Sequence, residues 1–245
     1  ANYSPNKVKA GQYMKFDFTV YNKVIDVFYP GISVATNTDF KGNINADTNE
    51  FKLHFSSPEI TAYTNTFNAI NLQIDNKNPL YNAYIELDSI KTEQYKIRDF
   101  SLINVTMNDT LFVRSEFKGG DKGEDNYSLN LYHTINKLKQ SIVGIQKSEM
   151  KYKDFLWYLN EKDDSDNKVI FNQAFTEFSF DNLVLSHEDK QVSLNGTLSG
   201  KTDKDLFLNF TGVPIEKILP TIDDFSPKGN LNGSVNLKQI KGVYQ

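Results

Sequence analysis

His54, His133 and His187 are the chain's three histidines, and imidazole is the side chain first looked to for zinc ligation or proton transfer near neutral pH. They fall in separate segments with no ligand-spaced neighbours, so they read as ordinary strand or surface histidines. The run Asp163-Asp164-Ser165-Asp166-Asn167 offers the oxygen donors that calcium prefers. It lacks the central Gly and the closing Glu of a calcium loop, and reads as a solvated hairpin loop. Two carboxylate pairs, Glu86 with Asp88 and Glu149 with Asp154, have the residue type for glycoside hydrolysis, but nothing singles either out. No G-x-S-x-G, P-loop or dinucleotide fingerprint occurs. The chain is expected not to be an enzyme and to need no metal or cofactor.

The elements that would carry any site are strands. Asn71-Leu72-Gln73-Ile74-Asp75, Gln191-Val192-Ser193-Leu194-Asn195 and Asp205-Leu206-Phe207-Leu208-Asn209-Phe210 each alternate apolar with mostly polar residues. A period of two marks a half-buried strand. The same reading gives strands at 13–21, Val24–Phe28 and Ile32–Val34, the last two around a Tyr29-Pro30-Gly31 turn. Phe51, Leu53 and Phe55 form another, closed by Ser56-Ser57-Pro58. Further strands are expected at 70–74, 83–87, 97–105, 111–117, 127–134 and 141–150. Phe155–Leu159, Lys168–Phe171, 175–185, 192–198, 206–210 and 231–240 complete the series. Met107-Asn108-Asp109 suits a hairpin loop. One segment departs from the rule: Ile215, Ile218, Leu219 and Ile222 have helical spacing, with Pro214 suited to a first helical position and Pro220 to ending the turn.

Hydrophobic residues make up 39% of the 245, fewer than a two-layer globule normally uses and enough for a sheet with one wet face. The net charge of −4 is spread without a basic stripe, which argues against nucleic acid. Cysteine is absent, removing disulfides and thiolate metal sites. No stretch reaches the ~18–20 apolar residues of a membrane span, and Ala1-Asn2-Tyr3-Ser4-Pro5 does not resemble a signal peptide. The chain therefore reads as one continuous unit, 1–245, and as an internal fragment of a longer protein. About 17 strands at ~4.8 Å spacing would make an open sheet roughly 80 Å long, and open sheets of that size normally curl or split.

The expected fold class is all-β: a long curved antiparallel sheet forming an open groove, with one short helix near 214–220. Its apolar lining would comprise Phe16, Phe18, Leu53, Phe55, Leu72, Ile74, Ile85, Leu87, Leu111, Val113, Leu129, Leu131, Val192, Leu194, Leu206 and Leu208. A β-sandwich core would select the same residues, and a carbohydrate-binding sandwich stays open on the aromatic content.

A resemblance bears on that choice. The order Phe178-Ser179-Phe180-Asp181-Asn182-Leu183, Gly196-Thr197-Leu198-Ser199, Asp205-Leu206-Phe207-Leu208-Asn209-Phe210, a short helix, then Gly229-Asn230-Leu231-Asn232-Gly233 resembles the TamB family of translocation and assembly modules, within the AsmA-like group. Asn130-Leu131-Tyr132-His133-Thr134 and Phe155-Leu156-Trp157-Tyr158-Leu159-Asn160 look like the versions found in Bacteroidetes-type bacteria. The likeness covers roughly residues 70–245 well and the first 70 more loosely. It implies a β-taco, a folded sheet around an apolar groove, in the periplasm. It also implies a parent protein anchored in the inner membrane through parts absent here. The implied partners are phospholipid acyl chains, moved between the membranes, and an outer-membrane assembly barrel protein. An assembly scaffold, pairing incoming strands along a sheet edge, is the implied alternative.

Overall fold

The computed structural model describes residues 9–21, 24–93, 95–219 and 227–244. Strands account for 67% of the described residues and helix for 3%, so the all-β expectation holds, and the ladders pair antiparallel. Contacts gather the chain into two compact units, one of residues 1–105 with 117–123 and the other of 106–116 with 124–245.

In the first unit the strands are β1 (Tyr13–Val20), β2 (Ile32–Val34), β3 (Thr38–Asn45), β4 (Glu50–Ala62), β5 (Asn65–Asp75), β6 (Ala83–Lys91) and β7 (Lys96–Met107), with α1 at Val24–Phe28. Val24–Phe28 is thus a helical turn and not a strand, closed by Tyr29 N–H donating to Ile25 O. Strand β3 answers to no sequence expectation. Its apolar positions, Phe40 and Ile44, are separated by Gly42, and the Phe16 ring occupies the space a Cβ would take there. The ladder runs β1–β3–β4–β5–β6–β7.

Ser56-Ser57-Pro58 does not close β4, which continues to Ala62. The registers leave Pro58 opposite Ala69, Ala69 opposite Asp88 and Asp88 opposite Asp99, and none of these is a ladder pair. Ala69 (φ 50°) and Asp99 (φ 51°) are left-handed. This is one fold line crossing four strands. The missing N–H of Pro58 costs little at a position already out of the ladder. At this line the spacing along the apolar side becomes three in each strand: from the buried Ser57, a polar residue in an apolar-side position, to Ile60, and from Phe67 to Ile70, Leu87 to Ile90 and Ile97 to Phe100. Dropping one residue from the alternation returns the next apolar residue to the same side of the sheet.

The second unit contains β8 (Thr110–Gly119), which spans both residue sets, then β9 (Asp125–Ile135), β10 (Ser141–Ile145), β11 (Ser148–Tyr152), β12 (Phe155–Leu159) and β13 (Lys168–Phe171). β14 (Glu177–His187), β15 (Lys190–Ser199), β16 (Asp203–Pro214), β17 (Asn230–Ile240) and β18 (Val243–Tyr244) follow. The single strand expected over 141–150 is two, β10 and β11, both paired with β9. In the same way β13 and β12 both pair with β14.

Buried polar side chains hold the interruption between these pairs. Asn160 Nδ2 donates to Ile145 O (2.6 Å) and Asp164 O (2.9 Å), while its Oδ1 accepts from Asp164 N–H (2.8 Å). Asn167 Oδ1 accepts from Val184 N–H (3.1 Å), and Ser148 Oγ accepts from Asn130 N–H (2.8 Å). Bulges in β14 between Phe180 and Leu183, and in β16 between Phe210 and Val213, reset the alternation as the fold line does in the first unit. The helix near 214–220 is a single 3-10 turn, Ile215–Lys217. Pro214 precedes it in extended conformation as the N-cap and is not its first residue. Pro220 and Ile222 lie outside the described residues.

Candidate apolar binding face

Directly opposed residues of antiparallel strands share a face, so register shows which of the expected lining residues lie together. In the first unit one row reads Phe18–Phe40–Phe55–Leu72–Ile85–Leu102, and the next reads Phe16–Gly42–Leu53–Ile74–Ala83. Leu87 lies opposite Phe100 on the same side. The eight residues expected there therefore occupy one face. Phe40, Phe100 and Leu102 extend it.

Aromatic rings crowd its β1 end. Phe16 stacks on Phe18 (centroids 5.3 Å apart) and on Phe40 (5.0 Å), and Phe40 meets Phe55 edge-on at 6.1 Å. A hollow of about 360 Å³ lies against the other side of this row, on the polar face, lined mostly by residues such as Lys15, Asp17, Lys41, Lys52, His54 and Gln73.

In the second unit the rows read Leu183–Leu194–Leu208–Val235, Leu185–Val192–Phe210–Gly233 and His133–Val143–Val169–Phe180–Gly196–Leu206–Leu237. Leu131 pairs with Ile145 on the His133 side of β9, and Leu129 follows in phase. In β8 the Phe112 ring meets Tyr132 (6.5 Å), so Leu111 and Val113 take the opposite side, that of Leu129 and Leu131.

In neither unit is the apolar face buried as the inside of a sandwich would be. Among the described residues only Val34, Leu87, Trp157 and Val213 are buried apolar side chains, while Phe18 and Val235 are each 55% exposed. The remaining expected lining residues are half-buried. Exposing a continuous apolar surface is unfavourable by roughly 25 cal/mol per Å², and such surfaces mark binding sites.

One part of the face is covered. After β16 the chain passes through the 3-10 turn to the β11–β12 turn, where Lys153 Nζ donates to Leu219 O (2.7 Å) and Lys217 Nζ donates to Lys153 O (2.8 Å). Trp157 and Val213 are fully buried. Among the described residues, the buried Trp157 Nε1 and His187 Nδ1 have no hydrogen-bond partner, and an unmatched buried polar group costs about 1–3 kcal/mol.

The residues that suggested chemistry are scattered. His54 pairs with Lys41 and Gln73 on the polar face of the first unit, whereas His133 and His187 lie on the apolar face of the second. Glu86 accepts from the Tyr84 hydroxyl (2.6 Å) and Asn71 Nδ2 (2.9 Å), and these bonds, Tyr84's first, hold its carboxyl below the usual range. Its companion Asp88 lies on the fold line. Glu149 is exposed, and Asp154 pairs with Lys151 at 3.0 Å. Asp163 Oδ1 accepts from Lys147 N–H, and no described group of three His or carboxylate side chains is placed to hold a metal. No family model, curated protein or solved structure matches this chain.

Proposed function

We propose that the chain is a periplasmic segment of a TamB-like bridge whose apolar β-face conducts phospholipid between the inner and outer membranes. The observation that carries this reading is a set of apolar rows, in register over many strands, that remain half-buried where a closed core would be dry. Moving acyl chains onto such a face removes both apolar surfaces from water, at about 0.8 kcal/mol per CH₂ buried, while a polar headgroup stays in solvent. The rows repeat similar side chains, so a bound tail meets no deep trap along them. Under the same reading the anchor and membrane contacts belong to other parts of the parent protein.

The test is phospholipid transfer between donor and acceptor vesicles. Leu194 and Leu208 are directly opposed, so each is changed to Arg singly. An arginine in the row interrupts it with a charge that is costly to desolvate. Transfer falls severalfold in Leu194→Arg and Leu208→Arg, with the circular dichroism of a folded chain retained. Undiminished transfer by a folded variant contradicts the proposal.

A second reading, a scaffold for outer-membrane protein assembly, draws on β17. That strand pairs with β16 on one side and on the other only with the two residues of β18, through Gln239 and Ile240. Among the described residues, 230–238 thus present an open edge, and open edges template strand addition. Binding of unfolded barrel segments that is insensitive to Leu194→Arg would favour this second reading.

A further inference from the structure

Four turns gather at one end of the second unit. Register sets Ser141 opposite both Ile135 and Phe171, Phe171 opposite Phe178, Glu177 opposite Ser199, and Ser199 opposite Asp203. The β9–β10, β13–β14 and β15–β16 turns are therefore neighbours. Gly242 N–H, donating to Thr202 O (2.9 Å), adds the β17–β18 turn. The five most exposed large apolar side chains described in this unit are Ile135, Leu138, Phe175, Val243 and Tyr244, at 61–79%, and all stand on or beside these turns.

Two of the tips are clamped in the same way. Asn136 Oδ1 accepts from Leu138 N–H and Gln140 N–H (both 3.0 Å), and Asn172 Oδ1 accepts from Thr176 N–H (2.9 Å). Phe175 (φ 53°) takes the left-handed position of its turn, where the matching turn after Asn160 has Asp163 (φ 53°). An exposed ring in that conformation is costly on its own chain. The rings also lead inward: Phe175 stacks on Phe171 (5.1 Å), Phe171 on Phe178 (5.7 Å) and Phe178 on Phe180 (6.4 Å), whose row belongs to the apolar face. The exposed tips are thus continuous with the candidate binding face.

Charge at this end differs from that at the other. Lys137 and Lys139 bracket Leu138, and Lys201 and Lys241 stand in the adjoining turns, against Asp109, Glu177 and Asp203, four cations to three carboxylates. Asp109 belongs to this end because its backbone oxygen accepts from the Thr134 hydroxyl. The opposite end exposes Glu188 and Asp189 in the β14–β15 turn and Asp154 in the β11–β12 turn. Lysine is depleted where proteins bind proteins. Apolar tips bracketed by lysines, whose stems lie along apolar surface while the ammonium reaches a headgroup, suit a membrane interface.

We propose that this turn end of the second unit docks on the surface of a phospholipid membrane, with Leu138 and Phe175 entering the headgroup region. The contact is peripheral. It goes beyond the lipid-conducting reading and does not require conduction, since it rests on the turns and not on movement along the rows.

The chain has no cysteine, so Leu138→Cys and Asp189→Cys each carry one environment-sensitive fluorophore, at opposite ends of the unit. The whole chain is mixed with phosphatidylcholine vesicles, with or without phosphatidylglycerol. The label at 138 shifts to the blue on vesicles and the label at 189 does not. Unlabelled chain floats with the vesicles, about fivefold more tightly when phosphatidylglycerol is present, the effect of one net positive charge near the surface. Phe175→Asn suits the left-handed turn better than the native residue, yet weakens vesicle binding about tenfold, the effect of one aromatic side chain left in water. Leu194→Arg leaves docking unchanged, so a chain that docks but transfers no lipid loses only the conducting reading. Equal shifts of the two labels, no shift at 138, or undiminished binding by Phe175→Asn overturns the docking end. Self-association through this end in the absence of vesicle binding overturns it as well.

Discussion

Gly42→Ala is a small substitution with a sign that depends on one neighbour. A Cβ at Gly42 would lie within 2.8 Å of three atoms of the Phe16 ring, so the ring must move. Phe16 then gives up its stacking with Phe18 and Phe40, worth about 0.5–1.5 kcal/mol per pair beyond area burial. Against this, alanine restricts the unfolded chain more than glycine and gains about 0.5–1 kcal/mol. The expected net effect in the native background is a loss of about 0.5–2 kcal/mol. In a Phe16→Ala background nothing has to move, and Gly42→Ala should stabilise by about 0.5–1 kcal/mol. Urea unfolding of the four proteins of this cycle, followed by far-ultraviolet circular dichroism, measures the coupling directly. If Gly42→Ala has the same effect in both backgrounds, the Phe16 ring does not fill the glycine gap and the account of β3 is wrong.

Three further substitutions probe other parts of the fold. Asn160→Ala deletes a buried side chain that makes three hydrogen bonds, and should cost about 2–4 kcal/mol in urea unfolding. A loss under 0.5 kcal/mol would remove its role as the staple between β12 and β13. Ala69→Val should destabilise by about 1–2 kcal/mol despite the β propensity of valine, because a branched residue is strained at φ 50°. A gain in stability would show that Ala69 is ordinary strand. Glu86 has a depressed folded-state pKa, so its contribution is present above about pH 4.3 and is lost as pH falls through the lower folded value. Glu86→Gln should therefore flatten the acid limb of the melting temperature below that pH. An unchanged limb would show that the Tyr84 and Asn71 bonds do not stabilise the carboxylate.

Legibility in the sequence followed the period of two. Leu53, Phe55, Leu72, Ile74 and Ile85 alternate cleanly, and their shared face could be read before the registers were known. Strand β3 was hidden because part of its surface comes from the Phe16 ring of another strand, which a local pattern cannot show. Pro58 looked like a terminator because proline lacks a ladder donor, yet it stands on a fold line where none is needed. The sequence does carry a sign of that line, the spacing of three between Ser57 and Ile60, Phe67 and Ile70, Leu87 and Ile90, and Ile97 and Phe100. It becomes meaningful only once pairing aligns the four strands. Val24 and Phe28 are close in spacing to a strand edge, but five residues are too few to separate a helical turn from a strand by period. The Trp157–His187 neighbourhood was illegible for another reason: β12 pairs with β14 past the intervening β13, a contact that no local pattern encodes.

Native mass spectrometry of the chain after brief contact with phospholipid vesicles tests the lipid-carrying face most directly. The account predicts adducts with the mass of intact diacyl phospholipid that diminish in Leu194→Arg. A folded chain that emerges free of lipid at every vesicle concentration, or one whose adducts are indifferent to the arginine, would contradict it.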